Sequence, residues 1–382
     1  MMTGRNSRSA AGRDRSSLWG STPWLIEFKE ATAPLPREVD TAVIGGGFTG
    51  LSAAAWLRYL VPNQSVALFE ASTVGSGSSG HTGGLTLAET AAGDLPGLGD
   101  VLAGFANILD ELEISADLHL TGVWEIGRAQ SNPRKSPILW SDSGELRVVR
   151  AVPGGTVDPG KLVSGLAYAA ARRGALIFEH SRVENLVFKD SVLVTTSRRQ
   201  VRAKQALIAT NAQSLELGDL AAEAQPKFTL AIATEPLAAT QIDRLGLAAG
   251  KPFYTIDLPY LWGRVDGSRV IFGSGLVHLN DWHQLLNLNV SGGKAAELLA
   301  DLGRRVHHLH ATLKGTSFTH KWGGPILIAD HWLPVFRRHR QSSRAIVLGA
   351  YSGHGVALSV YLGRWAAEAI LGRRALPEWA AQ

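Results

Sequence analysis

A glycine-rich turn between a strand and a helix constrains the fold of this chain more than any other feature. Residues 39–44 form a short apolar run bounded by turn residues, as in a buried parallel strand. The turn 45–50 follows at once, and residues 48–60 then carry apolar side chains at helical spacing up to Pro62. A second buried strand is predicted over residues 65–70. Strand, turn, helix and strand together form a parallel βαβ unit.

The spacing of the glycines fits the G-x-G-x-x-G pattern of dinucleotide-binding turns. Gly45 permits the tight turn, Gly47 lets a pyrophosphate approach the backbone, and Gly50 lets the helix pack closely on the strand. Glu70 follows Gly50 by 20 residues, where an acid accepts hydrogen bonds from ribose hydroxyls. Because an acid there disfavours a 2′-phosphate, the sequence favours FAD or NAD over NADP.

Two further glycine-rich segments distinguish FAD from NAD. Residues 75–84 are glycine, serine or threonine except for His81, and they follow the second strand, where the backbone can lie against a large flat ring. Residues 349–355 stand between a strand and a helix, where amides can hold the pyrimidine end of a flavin. No second G-x-G-x-x-G follows a predicted strand, so a separate NAD(P) domain is not expected. The sequence therefore favours a flavin.

Composition argues against several other classes of protein. The 382 residues are 45% hydrophobic and 19% charged, as in a globular protein with a large core, and the absence of cysteine excludes disulfides and thiol chemistry. The net charge of +5 is dispersed, so no nucleic-acid partner is expected. Without a signal peptide or an apolar run of about 18 residues, we expect a soluble, cytoplasmic protein with no membrane span. The histidines at 307, 308 and 310 lack supporting carboxylates, so no metal site is expected.

The order of the predicted elements indicates two interleaved domains. A pattern of strands and helices opens the chain, returns with a helix that Asp158 caps and Pro159 begins, and returns again near the C-terminus. The segments between are richer in strands. We expect an α/β Rossmann-type cofactor domain in 18–95, 152–225 and 331–382, a substrate domain in 96–151 and 226–330, and a disordered leader at 1–17.

Seven segments together resemble the D-amino-acid oxidase-like FAD-dependent oxidoreductases. They are VDTAVIGGGFTGLSAAAWL, FE, GSGSSGHTGG, VDPGKLVSGLAYAAARRGA, LIATNA, KWGGPI and YSGHGVALS. The resemblance is nearest to the branch that oxidises amines and N-substituted amino acids, such as gamma-glutamylputrescine oxidase. It implies a glutathione-reductase-like FAD domain (α/β) joined to an interleaved mixed-sheet substrate domain (α+β). It also implies hydride transfer from a C–N carbon to flavin N5, with an imine as product.

The same resemblance implies which residues contact FAD. They hold the pyrophosphate, the adenosine ribose, the adenine, the flavin ring with its ribityl chain, and the pyrimidine end. The full set is Gly45, Gly47, Phe48, Thr49, Gly50, Glu70, Ala71, Ser78, Ser79, Gly80, His81, Thr82, Gly83, Gly84, Leu85, Val183, Thr210, Asn211, Gly324, Tyr351, Ser352, Gly353, His354, Gly355, Val356 and Ala357.

Two departures from the family pattern affect what the resemblance implies. The segment from Trp322 to Pro325 lacks the arginine with which related alpha-amino-acid oxidases bind a substrate carboxylate, unless Arg264 replaces it. The segment 80–85 is similar to W-H-T-A-G-L of the dimethylglycine dehydrogenase-like branch, whose histidine is linked covalently to flavin. At His81 we therefore expect either such a link or, favoured here, ordinary hydrogen bonding.

The sequence is less specific about which residues contact the substrate. The candidates are Tyr254, Tyr260, Arg264, Trp322 and His354, although each aromatic residue also suits a core position. The favoured function is oxidation of an amine or N-substituted amino acid with O2 as electron acceptor. The alternatives are a dehydrogenase with His81-linked FAD that passes electrons to a carrier, and a flavoprotein without catalysis. The sequence leaves the oligomeric state open.

Overall fold

The computed structural model describes residues 18–29, 33–128 and 136–381, so the predicted leader lies outside the described residues. The described chain forms two large β-sheets, a two-stranded sheet and eight α-helices. The strands are β1 (Glu38–Ile44), β2 (Val66–Phe69), β3 (Leu85–Leu87), β4 (Val123–Arg128), β5 (Trp140–Ser141), β6 (Glu145–Val152), β7 (Gly154–Thr156), β8 (Leu176–Phe178), β9 (Val183–Phe188), β10 (Val192–Thr196), β11 (Gln200–Ile208), β12 (Ala224–Thr234), β13 (Phe253–Thr255), β14 (Trp262–Asp266), β15 (Arg269–His278), β16 (Phe318–Ala329), β17 (Val335–His339) and β18 (Ser342–Gly349). The helices are α1 (Phe48–Leu60), α2 (Ser78–His81), α3 (Val101–Glu111), α4 (Pro159–Arg172), α5 (Leu215–Gly218), α6 (Ala239–Arg244), α7 (Gly293–Leu309) and α8 (Gly355–Ile370).

The first large sheet contains the predicted βαβ unit. Strands β18, β11, β1, β2 and β8 lie in this order and run parallel, with Ile44 of β1 opposite Phe69 of β2. Strand β17 joins β18 antiparallel at one edge, while β10 pairs antiparallel with β11 and β9 with β10. Helix α1 connects β1 to β2 over the predicted residues 48–60. The prediction of a Rossmann-type parallel unit is confirmed.

Helices α1, α3, α4 and α8 cover one face of this sheet. Helix α1 contacts α4 and α8, and α3 contacts α8. Their buried side chains, including Trp56 and Phe105, share one core with Val43 and Leu68 of the sheet. The sequence analysis assigned α3 to the substrate domain, but burial of Phe105 places this helix on the cofactor side. Among the described residues, no helix is long and apolar enough to cross a membrane.

The second large sheet supplies the mixed architecture expected for a substrate domain. Its strands follow the order β16, β12, β15, β14, β13, β4, β6 and β5, and every neighbouring pair is antiparallel except β13 with β4. Helix α7 packs on β12 and β15. Buried residues of this sheet share a core with Ile44 and Phe69, on the opposite face of the first sheet. The two sheets are therefore joined through apolar packing.

Asp40 in β1 links three chain segments, and its contacts make the stability of the fold depend on pH. Its carboxylate accepts hydrogen bonds from the backbone amide and hydroxyl of Ser65, both at 2.8 Å, and pairs with Lys204 of β11 at 2.7 Å. These contacts, the one from Lys204 foremost, lower the pKa of Asp40 to about 2. A carboxyl with a lowered folded pKa stabilises the fold above its unfolded pKa of about 3.9, and this contribution is lost as pH falls through the folded value.

We therefore expect Asp40→Asn to lower the free energy of unfolding by about 1 kcal/mol at pH 7. The difference from the unsubstituted protein should shrink at pH 3, since that pH lies below the unfolded pKa and Asp40 is then mostly protonated in the unfolded chain. Urea denaturation at the two pH values measures both differences. Asp94→Asn is the control, because Asp94 is exposed. An equal loss for Asp40→Asn at pH 7 and pH 3 would contradict the assigned pKa.

Candidate functional site

A cavity of about 1350 Å³ lies where the two large sheets meet. Its walls come from the carboxyl ends of β1, β2, β11 and β18 and from β12 to β16 of the second sheet. Open α/β sheets bind ligands outside the carboxyl ends of their strands. The volume exceeds the roughly 300–1,000 Å³ of an ordinary small-molecule pocket. The cavity therefore has room for a dinucleotide together with a substrate.

The glycine turn has the close backbone approaches that its sequence predicts. Gly45 has φ +108°, and a Cβ there would lie 2.5 Å from the carbonyl oxygen of Ala209. A Cβ on Gly50 would lie 2.0 Å from the Gly45 carbonyl oxygen. The hydroxyl of Ser79 accepts a hydrogen bond from the Phe48 amide at 2.9 Å, where the N-terminus of α1 meets the cavity. These contacts leave an amide-rich edge suited to an anion.

Glu70 stands at the carboxyl end of β2, where the sequence analysis places the ribose acid. Its carboxylate accepts hydrogen bonds from the backbone amides of Gly46 at 2.8 Å and Ser72 at 2.9 Å. Burial raises the pKa of Glu70, and these amide hydrogen bonds oppose the rise. The Ser181 amide donates to the Glu70 carbonyl at 2.7 Å, which brings Val183 to the same end of the cavity. The predicted ribose and adenine contacts are thus neighbours.

A hydrogen-bonded chain of side chains joins three cavity segments. The Ser78 hydroxyl donates to the Pro325 carbonyl at 2.6 Å and accepts from the Asn211 amide at 3.1 Å. The Asn211 side-chain oxygen in turn accepts from the backbone amide of Ala350 at 3.0 Å. Helix α2, the turn after β11 and the turn after β18 are therefore fixed relative to one another.

Three tryptophans support residues 78–85, which begin with the short helix α2 and are called here the loop that carries His81. The indoles of Trp24 and Trp322 donate hydrogen bonds to the carbonyls of Gly80 at 2.8 Å and His81 at 3.1 Å, respectively. Trp19 meets the His81 ring edge-on, with centroids 5.3 Å apart. The His81 side chain lines the cavity. Trp19 and Trp24, which precede β1, thus support this loop together with Trp322 of β16.

The turn after β18 closes another side of the cavity. The hydroxyls of Tyr351 and Thr49 are hydrogen-bonded at 2.6 Å, which ties this turn to the first turn of α1. Ser352 and Gly353 both have positive φ, so the backbone reverses sharply before α8. Burial raises the pKa of Tyr351 and lowers that of His354. Both groups are therefore uncharged near neutral pH.

Nearly all of the predicted FAD contacts line the cavity. Four predicted contacts do not line the cavity. Three are glycines at which an added Cβ would meet a backbone oxygen, and the fourth is an alanine buried among the helices. The exceptions are Gly50, Gly80, Gly84 and Ala357. Predicted contacts from seven stretches of the chain thus surround one space.

The structure divides the five substrate candidates. Tyr254, Tyr260 and His354 line the cavity, but Arg264 and Trp322 do not. Arg264 is 4% exposed and pairs with Asp266 at 2.9 Å, and burial lowers the pKa of its guanidinium. Because that charge is held behind the wall, the structure gives Arg264 no route to a substrate carboxylate. Trp322 is fully buried behind the loop that carries His81.

Several cavity residues were missed by the sequence analysis. Arg305 of α7 donates hydrogen bonds to Asp142 at 2.9 Å, to the Pro259 carbonyl at 2.6 Å and to the Ser274 hydroxyl at 3.1 Å. Glu89, shortly after β3, also lines the cavity. Neither belongs to a recognisable motif, and their partners or neighbours are distant in sequence. A charged residue on an amphipathic helix such as α7 gives no sequence signal that it faces a cavity.

The histidines set aside as metal ligands have structural contacts. Nε2 of His307 donates to the Thr316 carbonyl at 2.9 Å, and Nδ1 of His308 donates to the Arg304 carbonyl at 2.6 Å. His310 accepts the Thr312 amide at 3.1 Å. Within the part of the chain that the structure describes, no group of three histidine, aspartate or glutamate side chains is placed to hold a metal ion.

Comparison with known proteins agrees with this geometry. The profile of the DAO family, described as FAD dependent oxidoreductase, matches residues 40–369. The chain is 27% identical to the gamma-glutamylputrescine oxidoreductase of Escherichia coli strain K12, over 87% of this chain and 84% of that protein. It is 26% identical to the probable oxidoreductase OrdL of Rhizobium meliloti strain 1021, over 89% and 85% of the two chains.

Among solved structures, the fold is similar to glycine oxidase from Geobacillus kaustophilus. The TM-score is 0.71 at 19% identity, with 90% of this chain and 97% of that chain covered. The L-proline dehydrogenase from P. horikoshii gives a TM-score of 0.70 at 18% identity, over 91% and 97% of the two chains. The profile match over most of the chain, on a fold whose glycine turns surround one cavity, shows that this protein belongs to the FAD-dependent oxidoreductase family.

Proposed function

We propose that this protein oxidises the C–N bond of a primary or secondary amine, or of an N-substituted amino acid, to an imine, with O2 as the electron acceptor. The observation that carries the proposal is the continuous cavity. One part is the dinucleotide cradle of Gly45, Gly47 and Glu70, and the other is a pocket lined by Tyr254 and Tyr260. The names of gamma-glutamylputrescine oxidoreductase and glycine oxidase support an amine or amino-acid substrate.

The residues present fit FAD. The Thr210 hydroxyl is buried in the cavity wall and has no hydrogen-bond partner among the described residues, so a bound ligand can supply one. Gly45 and Gly47 would admit the pyrophosphate, Glu70 would accept the ribose hydroxyls, and the turn containing Ser352 would meet the pyrimidine end. We assign FAD binding to residues 18–95, 152–225 and 331–382, and substrate binding to residues 96–151 and 226–330. Helix α3 is the exception within 96–151, since it packs with the helices of the FAD-binding part.

FAD, when bound, supplies the acceptor for the two electrons that the C–N bond loses. The protein's own part is to bind and orient the amine and to exclude water. Tyr254 is oriented by its hydrogen bond to Glu125, which Arg150 also contacts. Desolvation, together with Glu125, raises the pKa of Tyr254, so its hydroxyl stays protonated. A neutral phenol at Tyr254 and an uncharged imidazole at His354 add no charge of their own beside the amine.

A second candidate function depends on His81, whose ring lines the cavity. Nδ1 of His81 donates to the Gly77 carbonyl at 2.9 Å, which fixes the ring orientation. In this alternative the ring is linked covalently to the flavin, and the electrons pass to a carrier instead of O2. The position of His81 is compatible with both candidate functions, so a chemical test is needed to distinguish them.

We expect the purified protein to show flavin absorbance bands, and amines to bleach them when oxygen is excluded. Admission of air should restore the bands and yield hydrogen peroxide. Denaturation of a parallel sample with acid should release all of the flavin into the supernatant. Flavin that stays with the precipitated protein, together with bleaching but no peroxide, would favour the second candidate. The absence of bleaching by any amine or amino acid would contradict both.

A further inference from the structure

Glu89 places a negative charge in the cavity that the cofactor site does not use. It lies between β3 and a tight turn closed by mutual backbone hydrogen bonds between Thr90 and Gly93, at 2.9 and 3.1 Å. Its side chain lines the cavity. Among the described residues, no hydrogen bond or ion pair joins the Glu89 carboxylate to another side chain. Tyr254 lines the same cavity, and the negative charge of Glu89 contributes to the raised pKa of both Tyr254 and Arg150.

The positive charges near the same cavity already have partners. Arg150, on which the charge of Glu89 also acts, forms its ion pair with Glu125. Arg305 is held by Asp142 and by backbone oxygens of the loop that carries Tyr260. Arg182 lies over the Trp282 ring at 5.5 Å, beside the adenine contact Val183. Within the described chain, every arginine on the substrate side therefore already has a partner, so none is available to bind a substrate carboxylate. The Glu89 carboxylate forms no ion pair and is available to bind an ammonium group.

The mouth of the cavity is apolar and aromatic. Ile256, Leu258, Tyr260, Leu276 and Trp332 all line the cavity and are also among the most exposed large side chains, with Leu258 79% exposed. Exposed apolar groups around a pocket indicate that an apolar ligand covers them. Aromatic faces also attract cations. The mouth therefore suits an apolar group attached to a cation.

We propose that Glu89 is a specificity-determining residue that binds the positive charge of the substrate. The substrate is then a cationic amine that carries an apolar group and no carboxylate beside its nitrogen. This inference rests on the proposed function and narrows it to one substrate class. Glu89 acts on substrate affinity, since its carboxylate attracts the ammonium form. The bound ammonium then releases its proton to solvent, and the neutral amine is the form that is oxidised.

The test measures binding separately from oxidation. The FAD-loaded protein is titrated with benzyltrimethylammonium, a cation that cannot be oxidised to an imine, and with benzoate, an anion with the same ring. Changes in flavin absorbance report binding. We expect the cation to bind at least about tenfold more tightly than benzoate, and Glu89→Gln to remove most of that preference. Glu113→Gln, at an exposed site, should retain it.

The oxidation arm uses a pair that differs by one carboxylate, N-methylbenzylamine and N-benzylglycine. Flavin should be reduced with an apparent affinity about tenfold higher for the amine, and Glu89→Gln should equalise the two. Equal or tighter binding of benzoate by the unsubstituted protein, or a preference that survives in Glu89→Gln, overturns the assignment. Loss of cation binding in Glu89→Gln without flavin reduction by any amine would instead overturn the proposed function while supporting the cation site.

Discussion

Gly50→Ala is expected to yield a protein that purifies almost without FAD. The added Cβ would lie 2.0 Å from the Gly45 carbonyl oxygen and 3.2 Å from the Val43 side chain. The turn is itself tightly packed, because a Cβ built on Gly45 would lie 2.5 Å from the Ala209 carbonyl oxygen. Helix α1 must therefore move away from β1, and the amides at its N-terminus leave the position that a pyrophosphate requires.

We expect the affinity of Gly50→Ala for FAD to fall at least about a hundredfold, and its free energy of unfolding to fall by about 1–3 kcal/mol. Quenching of FAD fluorescence measures the affinity, and urea denaturation measures stability. Gly292→Ala is the matched control, since no atom lies within 4 Å of its added Cβ and its φ is negative. A normal flavin content in Gly50→Ala would show that the close approach of Gly45 and Gly50 does not matter for binding.

The sequence predicted the βαβ unit and the start of α4 because their signals are local. Helix α1 has the predicted residues, since Gly47 precedes its first turn and Pro62 follows its end. Asp158 caps α4 as predicted, accepting the Lys161 amide at 2.9 Å. Each of these signals lies within a few residues of the structure that it determines. The fold class followed from the same motifs and is confirmed.

The substrate half was harder to predict because its contacts join distant residues. Arg264 was a candidate because it could replace the arginine that the segment from Trp322 to Pro325 lacks. Along a strand, however, one-residue alternation decides which face a side chain meets. Its partner Asp266 is two residues away on the same strand and holds it behind the wall. The bounds 96–151 predicted for the substrate domain include helix α3, although its Phe105 is buried with residues of α1 and α8. An apolar stripe shows that a helix packs but does not show against which sheet.

Trp322 provides the second large expected effect, and the test distinguishes a substrate contact from a structural residue. It is fully buried, meets Trp24 edge-on with ring centroids 5.5 Å apart, and donates to the His81 carbonyl. Trp322→Ala should lower the free energy of unfolding by about 3–5 kcal/mol, because it empties a large buried volume. Trp322→Phe keeps a ring but leaves the His81 carbonyl without its donor, at a cost of about 1–3 kcal/mol.

Urea denaturation and FAD affinity together decide between the two roles. If Trp322 supports the loop that carries His81, both variants should lose stability and bind FAD more weakly. Trp332→Ala is the control, since Trp332 is 51% exposed and its loss should change stability by no more than about 0.5 kcal/mol. A Trp322→Phe protein with unchanged stability and FAD affinity but a raised KM for the amine would restore Trp322 to the substrate pocket. That result would require its indole to reach the cavity past the loop that now separates them.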